Sequence, residues 1–363
     1  PKELFEINQK RQLEGVTLEL PPLPLTKTEL NNILQYPAAL TALTMACDDL
    51  WGKTHGISLA DLTLAKESGQ PMVSVGFSNS TDLKNTVCQL FQRGAIPKIK
   101  LGQGVDQDTE CLKIINSVQT IPFPAKHHLS ADFNGAYKLG EFLGFVEKVW
   151  SEGINLSAFL TLEQPLVPEA TFVDWSKIKD RLSDFGWSGN LVADESVITV
   201  TDAIECVRNG CHINYKMQKL GGLREALKIL RATGRTVGMV GGTFPTAIGR
   251  AYDLWAVASL PQATLPSDAW EPSTDWFSGP RHLIQEPFQI KASGQTSVFR
   301  GPGLGITPSW DKILQFRLSD PQGEYTAIRQ GKSGSRLRLR LKEGVSYPDL
   351  YRKRSGRDPL WNL

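Results

Sequence analysis

Asp132, Glu163 and Asp194 each close a short apolar run, in "LSADFN", "AFLTLEQP" and "NLVADES", and 31 residues separate each acid from the next. Lys98 and Lys100 close the run before them, "IPKIKLG", and Lys216 closes the run after them, "CHINYK". Taken singly, each acid has an ordinary structural use: Asp132, two residues before Asn134, suits a capped turn. Brought together at successive strand ends, three carboxylates repel one another unless a cation lies among them. A ligand set made only of oxygens selects a hard ion, Mg²⁺ before others, with Mn²⁺ as a substitute. Lysines on both sides of such an ion add groups that can carry a proton to or from whatever binds there.

That chemistry requires elements that bring the six residues to one place. From about residue 71 the chain alternates short apolar runs with longer amphipathic ones. "PMVSVGF", "IPKIKLG", "HHLSADFN", "AFLTLEQP", "NLVADES", "CHINYK" and "TVGMVGG" read as strands. "STDLKNTVCQLFQRG", "DTECLKIINSVQ", "GAYKLGEFLGFVEKVWSEG", "TDAIECVRNG" and "GLREALKILRATG" read as helices between them. Strands joined by single helices imply parallel crossovers, and seven in a row predict a closed α/β barrel. The C-terminal ends of barrel strands face the mouth, which is where the three acids and the lysines fall.

The rest of the composition removes other classes of function. The chain has 363 residues, enough for a barrel with a smaller satellite domain. Lys plus Arg number 40 against 38 Asp plus Glu, so a net charge of +2 gives no field that implies nucleic acid or membrane. "RQGKSGSRLRLRLKEG" and "YRKRSGR" are locally cationic and read as a charged edge strand with a solvated tail. Five scattered cysteines with no CxxC spacing argue against a disulfide framework and a zinc ribbon, and for a reducing, cytoplasmic setting. No apolar run approaches a membrane span, and no signal-like segment leads the chain, whose start at Pro1 suggests a processed or trimmed end.

The set "KIKLG", "ADFNGAY", "LEQP", "ADES" and "NYKMQKLGG" resembles the enolase superfamily, in its muconate-lactonizing-enzyme subgroup. The resemblance implies an α/β fold, a modified TIM barrel (β/α)7β with a small α+β capping domain. It implies catalytic lysines at Lys100 and Lys216 and metal ligands at Asp132, Glu163 and Asp194, holding Mg²⁺. Lys98, Asn134 and Glu195 match supporting positions around them, Lys98 being the lysine that helps set its neighbour's charge state. Gly241, Gly242 and Thr243, after the seventh strand, match substrate-contacting positions. "IGRAYDLWAVASLPQATLPSDAWEPSTDWF", "EPFQI" and "GPGLGI" are similar to o-succinylbenzoate synthases as a group. Those enzymes dehydrate a cyclohexadiene hydroxy acid on the route to menaquinone or phylloquinone. Related barrels racemise N-succinylamino acids or epimerise dipeptides with the same ligands and lysines. A small-molecule carboxylate substrate is implied in every case, and a barrel kept only as a scaffold is the remaining alternative.

Two departures stand against the resemblance. Where the subgroup carries Gly-Met-x-Glu-Thr, this chain has "GGTFPT", with Thr243 and Pro245 in the Met and Glu places. Only 36 residues precede the "PAALTAL" helix, too few for the usual capping strands. Beyond residue 314, "LQFRL" and "SRLRLRLKEG" read as strands around a polar loop, "YTAIRQGKSGS", expected to close over the substrate. The expected organisation is circularly permuted, with 1–36 in the capping domain, 37–314 the barrel, and 315–363 capping-like strands with a tail; the alternative is a lost capping strand and an unrelated C-terminal hairpin.

Overall fold

A computed structural model describes residues 20, 23, 26, 36–63, 67–68, 70–76, 80–119, 128–234, 238–242, 245–260, 265–268, 283–288, 295–315, 326–330 and 336–340. Its frame is a seven-stranded parallel sheet taken in chain order. The strands are β2 (Met72–Val75), β3 (Ile96–Lys100), β4 (Leu129–Asp132), β5 (Phe159–Glu163), β6 (Asn190–Ala193), β7 (His212–Asn214) and β8 (Gly238–Met239). Each falls within one of the seven apolar runs. The pair β1 (Glu67–Ser68) and β9 (Thr296–Ser297) forms a separate antiparallel ladder. Both outer strands of the main sheet bond the segment 265–268. Ser267 accepts from Met72 N at 2.8 Å on the β2 side, while Leu265 N donates to Gly238 O at 3.3 Å and Asp268 N to Val240 O at 3.0 Å on the β8 side.

The strands of this sheet are buried along almost their whole length: β4 is buried at every position and β3 at all but Lys100. Parallel strands covered on both faces read as continuous apolar runs rather than alternating ones, which is why the sequence shows them plainly. Helices α2 (Ser80–Gln92), α3 (Val105–Gln119), α4 (Leu139–Ser151), α5 (Phe172–Asp184), α6 (Val200–Arg208), α7 (Met217–Leu220), α8 (Leu223–Thr233) and α9 (Ala247–Ser259) follow the strands. Two of them are pinned close to the site. Thr171 and Asp174 form a reciprocal cap on α5, after Glu163, and Thr199 and Asp202 do the same for α6, after Asp194. In the second cap Asp202 N donates to Thr199 Oγ1 at 2.9 Å and Thr199 N to Asp202 Oδ2 at 2.8 Å, which fixes where each loop must end.

Helix α1 (Pro37–His55) lies against the α7–α8 connection. Thr41 Oγ1 donates to Met217 O at 2.7 Å, and Arg224 grips Asp48 with two bonds of 2.9 and 2.7 Å. Asp48 is fully buried, so its charge has no water to replace the guanidinium. Gly222, at φ +105°, lets Thr44 approach: a Cβ there would lie 2.7 Å from Thr44 Oγ1. Arg224→Ala is expected to lower stability by about 3–5 kcal/mol, because it strands a buried carboxylate. Urea unfolding of the variant measures this directly.

Two expectations fail at the C-terminal end. Leu314 and Gln315 of the expected strand "LQFRL" belong to α10 (Trp310–Gln315), and residues 316–318 lie outside the described residues. Thr326 to Gln330, expected in a loop, form β10 (Thr326–Gln330), paired antiparallel with β11 (Arg336–Arg340). The five-residue register from Thr326↔Arg340 to Gln330↔Arg336 gives the segment backbone partners that the polar sequence around it conceals. The strand-like "GVTLELPPLPL" and the remainder of both termini lie almost wholly outside the described residues.

Candidate active site

Sheet register levels the first three of the chemistry-bearing residues, and the turns after β6 and β7 add the other two. Lys100 on β3 is level with Asp132 on β4, and Asp132 is level with Glu163 on β5. Asp194 follows β6 by one residue, and Lys216 follows β7 by two. The three carboxylates are between 0% and 1% exposed, so water cannot answer their charge.

Lysines answer it. Lys100 Nζ bonds Asp132 Oδ2 and reaches Asn134 Oδ1 at 3.2 Å. Lys98, buried inside the sheet, donates to Glu163 Oε2 at 2.9 Å and Asp268 Oδ2 at 2.7 Å, and lies 3.7 Å from Asp132 Oδ2. At the other end Lys216 bonds Asp194 Oδ2, and Lys219 donates to Asp194 Oδ1 at 2.9 Å and Asp194 O at 2.7 Å. The turn expected at Asp132 is present as well. Asn134 N donates to Asp132 Oδ1 at 3.0 Å, with Asn134 at φ +46°, so one carboxylate oxygen shapes the turn while the other faces the lysines. Glu195 lies against Asp194, and its Oε2 is buried without a partner among the described residues.

The electrostatics follow from burial and these contacts. Burial, then the charge of Asp132, pushes the Glu163 carboxyl up to about 7, despite Lys98 and Lys216. Burial also opposes ionisation of Asp194, yet Lys219 and Lys216 outweigh it and hold that carboxyl below the usual range. Burial works against the charged forms of Lys98 and Lys216 too. The acids win: Asp268, Glu163 and Asp132 raise Lys98, while Asp194 and Glu163 raise Lys216. Glu195 is raised by burial and by Asp194.

As the side chains stand, no three Asp, Glu, His or Cys residues among the described ones draw together into a metal cage, and each of the three carboxylates is paired with a lysine. The donor chemistry nonetheless fits a hard dication: three buried carboxylates from neighbouring strand ends, with no sulfur or imidazole among them. Burial first, and then the neighbouring Asp132, opposes ionisation of Glu163, a cost that a bound cation would offset.

Sequence reasoning missed four supporting residues. Asn214 on β7 donates to Glu163 Oε1 at 2.6 Å and accepts from Gly241 N at 2.8 Å. Lys219 stands three residues after Lys216, a helical spacing that puts both ammonium groups on Asp194. Gln164, at φ +40°, accepts from Asp194 N at 2.8 Å and donates to Ser196 Oγ at 2.6 Å, tying the β5 end to the β6 end. Asp268 holds Lys98 from the segment after α9. The signals were the "YKMQK" spacing and the acid of "LPSD"; Gln164 and Asn214 had none beyond adjacency.

Gly241, one of the expected substrate-contacting positions, has a packing role in the structure. A Cβ on it would lie 2.4 Å from Asn214 Oδ1, so the glycine lets Asn214 sit against the β8 backbone and reach Glu163. Gly241→Ala is expected to push Asn214 off Glu163, at a cost of about 1–3 kcal/mol. Thermal unfolding against the parent chain checks it. Gly242 packs on Arg250, whose Nη1 would lie 2.6 Å from an added Cβ. Thr243 lies outside the described residues.

Residues 85–312 match the family described as Enolase C-terminal domain-like. That covers well over half of the chain. The chain belongs to the enolase superfamily. Among its relatives is the o-succinylbenzoate synthase of Bacillus subtilis, 31% identical over 284 residues, or 77% of this chain and 70% of that one. A hydrophobic dipeptide epimerase of Roseobacter litoralis is 30% identical over 211 residues, 56% of each chain. A muconate lactonizing enzyme, 19% identical, superposes with a TM-score of 0.67 over 86% of this chain and 84% of its own, a likeness of fold. The parallel sheet described above is thus the enolase-superfamily sheet, and its row of acids and lysines lies at the strand ends.

Proposed function

We propose that this enolase-superfamily chain is a Mg²⁺-dependent hydro-lyase that forms o-succinylbenzoate from a cyclohexadiene hydroxy acid. The observation that carries the reading is the row itself: Lys100, three buried carboxylates and Lys216 in sequence across adjacent strand ends. Asp132, Glu163 and Asp194 would hold the ion, with Mn²⁺ a substitute. When bound, Mg²⁺ supplies Lewis-acid stabilisation for the charge that builds on the substrate carboxylate.

The chain's own residues do the rest. Lys100, as the neutral amine, takes the proton from the carbon next to the carboxylate, then gives a proton to the departing hydroxyl, so that water leaves and the amine is restored. It is the better placed of the two β3 lysines, since Lys98 is enclosed and committed to Glu163 and Asp268 while Lys100 is partly exposed. Lys216, held cationic by Asp194 and Glu163, stays charged and faces the ring as a cation–π partner. Asn134 and Asn214 orient Lys100 and Glu163 by the bonds given above. The organisation we favour is a (β/α)7β barrel over 37–314, closed by the 265–268 segment. The β10–β11 hairpin within 315–363 and residues 1–36 would then share a permuted capping domain. Five free cysteines accord with a cytoplasmic setting, and among the described residues no helix is long and apolar enough to cross a membrane.

The second reading, an N-succinylamino-acid racemase or dipeptide epimerase, draws on the epimerase relative and on the presence of a lysine at each end of the row. Incubation in D₂O with Mg²⁺ separates the readings. Dehydration of the cyclohexadiene acid supports the lyase, and deuterium wash-in to N-succinylamino acids or dipeptides without dehydration replaces it with the second reading. Neither reaction would leave a scaffold.

A further inference from the structure

In "ADFNGAY" the acid and the amide join the row of lysines and carboxylates, while Tyr137 bonds none of its members. The Tyr137 ring is buried, 4% exposed, and stacks on Phe145 at 5.7 Å, with Phe133 and Phe142 set edge-on at 6.0 Å. Packing accounts for the ring and leaves the hydroxyl. That hydroxyl donates to Asp108 Oδ2 at 2.5 Å, the length of a charge-assisted bond. Burial, then the Asp108 carboxylate, raises the phenol, so it remains a donor.

Asp108, in the first turn of α3, is buried and has no lysine or arginine partner among the described residues. Three neutral donors answer its charge instead: Tyr137 Oη, Gly102 N at 2.6 Å and Gln103 N at 3.0 Å. The two amides belong to the loop that leaves β3, just after Lys100. Gly102, at φ +87°, lies so close to the next loop that a Cβ would stand 2.4 Å from Phe133 O. Between them, Leu101 N donates to Asp132 O at 2.9 Å. The Tyr137 backbone reaches the loop after β5, donating to Pro165 O at 3.3 Å and accepting from Val167 N at 2.8 Å. One residue thus ties together the loops that follow Lys100, Asp132 and Glu163.

We propose that Tyr137 is a positioning residue for Lys100: through Asp108 its hydroxyl fixes the loop leaving β3, and with it the place of the Lys100 amine. Lys100 needs such a hold. Its side chain is partly exposed, and its partners are Asp132 and Asn134. An ion at Asp132 would compete for that carboxylate, so the strand end and its loop must keep the amine in place. Misplacing a reacting group by about 1 Å can cost about 100-fold in rate. The inference rests on the proton transfer assigned to Lys100 and extends it to a residue that touches no reacting atom.

The test is Tyr137→Phe, which keeps the ring and loses the hydroxyl, assayed in the Mg²⁺-loaded enzyme with the cyclohexadiene acid. The rate is expressed per folded chain, the folded fraction coming from thermal unfolding of the same preparation. Both kcat and kcat/KM should fall together by about 10–100-fold with KM unchanged, the pattern of an interaction realised only in the transition state. Asp108→Asn, which turns an amino group on one of the three donors, should move kcat in the same direction. Phe142→Leu loosens the packing of the same ring and should lower thermal stability while kcat per folded chain holds. A wild-type kcat in Tyr137→Phe or in Asp108→Asn overturns the proposal, as does an equal fall in Phe142→Leu or a loss carried by KM alone. Wild type that dehydrates the acid beside an unaltered Tyr137→Phe removes only the role of Tyr137. Wild type that does not dehydrate it removes the lyase reading, and deuterium wash-in to N-succinylamino acids then supplies the rate for the same comparison. Wild type that does neither removes the proton transfer and this proposal with it.

Discussion

Lys100→Ala is expected to lower kcat by about 10²–10⁴-fold, the range for loss of a positioned general base, while Mg²⁺ still binds. The asymmetry comes from the contacts. Lys100 touches Asp132 and Asn134 from the partly exposed end of β3, and its removal leaves Glu163 with Lys98 and Asn214, and Asp194 with Lys216 and Lys219. The fold has little stake in it, because Lys98 remains within 3.7 Å of Asp132 to answer that charge. Single-turnover kinetics with the cyclohexadiene acid, paired with Mg²⁺ calorimetry on the same preparation, measures both halves. Turnover within a few-fold of the wild type would end the role given to Lys100.

Asp194→Asn should act in the opposite pattern. The carboxylate is the meeting point of two ammonium groups, and Gln164 fixes its backbone through the 2.8 Å bond to Asp194 N. Neutralising it removes one of the three carboxylates proposed to hold the ion and leaves Lys216 and Lys219 facing each other. Loss of a partner that only orients a ligand costs about 10–100-fold in metal affinity, so loss of the ligand itself should weaken Mg²⁺ binding by about 100-fold or more. The metal-free variant should also unfold at lower temperature, since two mostly buried lysines lose their counterion. Calorimetry showing unchanged Mg²⁺ affinity would contradict the assignment of Asp194.

Much of this was legible in the sequence for one physical reason. In a parallel sheet covered on both faces, strand interiors must be apolar, so a charged residue is tolerated at the end of a run and stands out there. Asp132, Glu163, Asp194, Lys100 and Lys216 all announce themselves in that way. Lys98, two residues before Lys100 and noted with it in the sequence, survives burial because Glu163, Asp268 and Asp132 converge on it, a pairing that only the structure shows. Asn214 and Gln164 are neutral amides whose importance lies in which carboxylate or backbone group they reach, and no spacing predicts that. Asp268 lies in the 265–268 segment, too short to show a strand period. Thr326 to Gln330 misled for a related reason: a polar five-residue stretch becomes a strand only because Arg336 to Arg340 pair with it.

The central claim is that Asp132, Glu163 and Asp194 hold one dication between Lys100 and Lys216. Crystals of the protein soaked in Mn²⁺ test it most directly, since the ion scatters anomalously and replaces Mg²⁺ in oxygen sites. The account predicts one strong anomalous peak bonded to an oxygen from each of the three carboxylates, with the Lys100 and Lys216 amines on either side of it. A peak elsewhere, or ordered density in which the three carboxylates keep their lysine partners at saturating Mn²⁺, would contradict it.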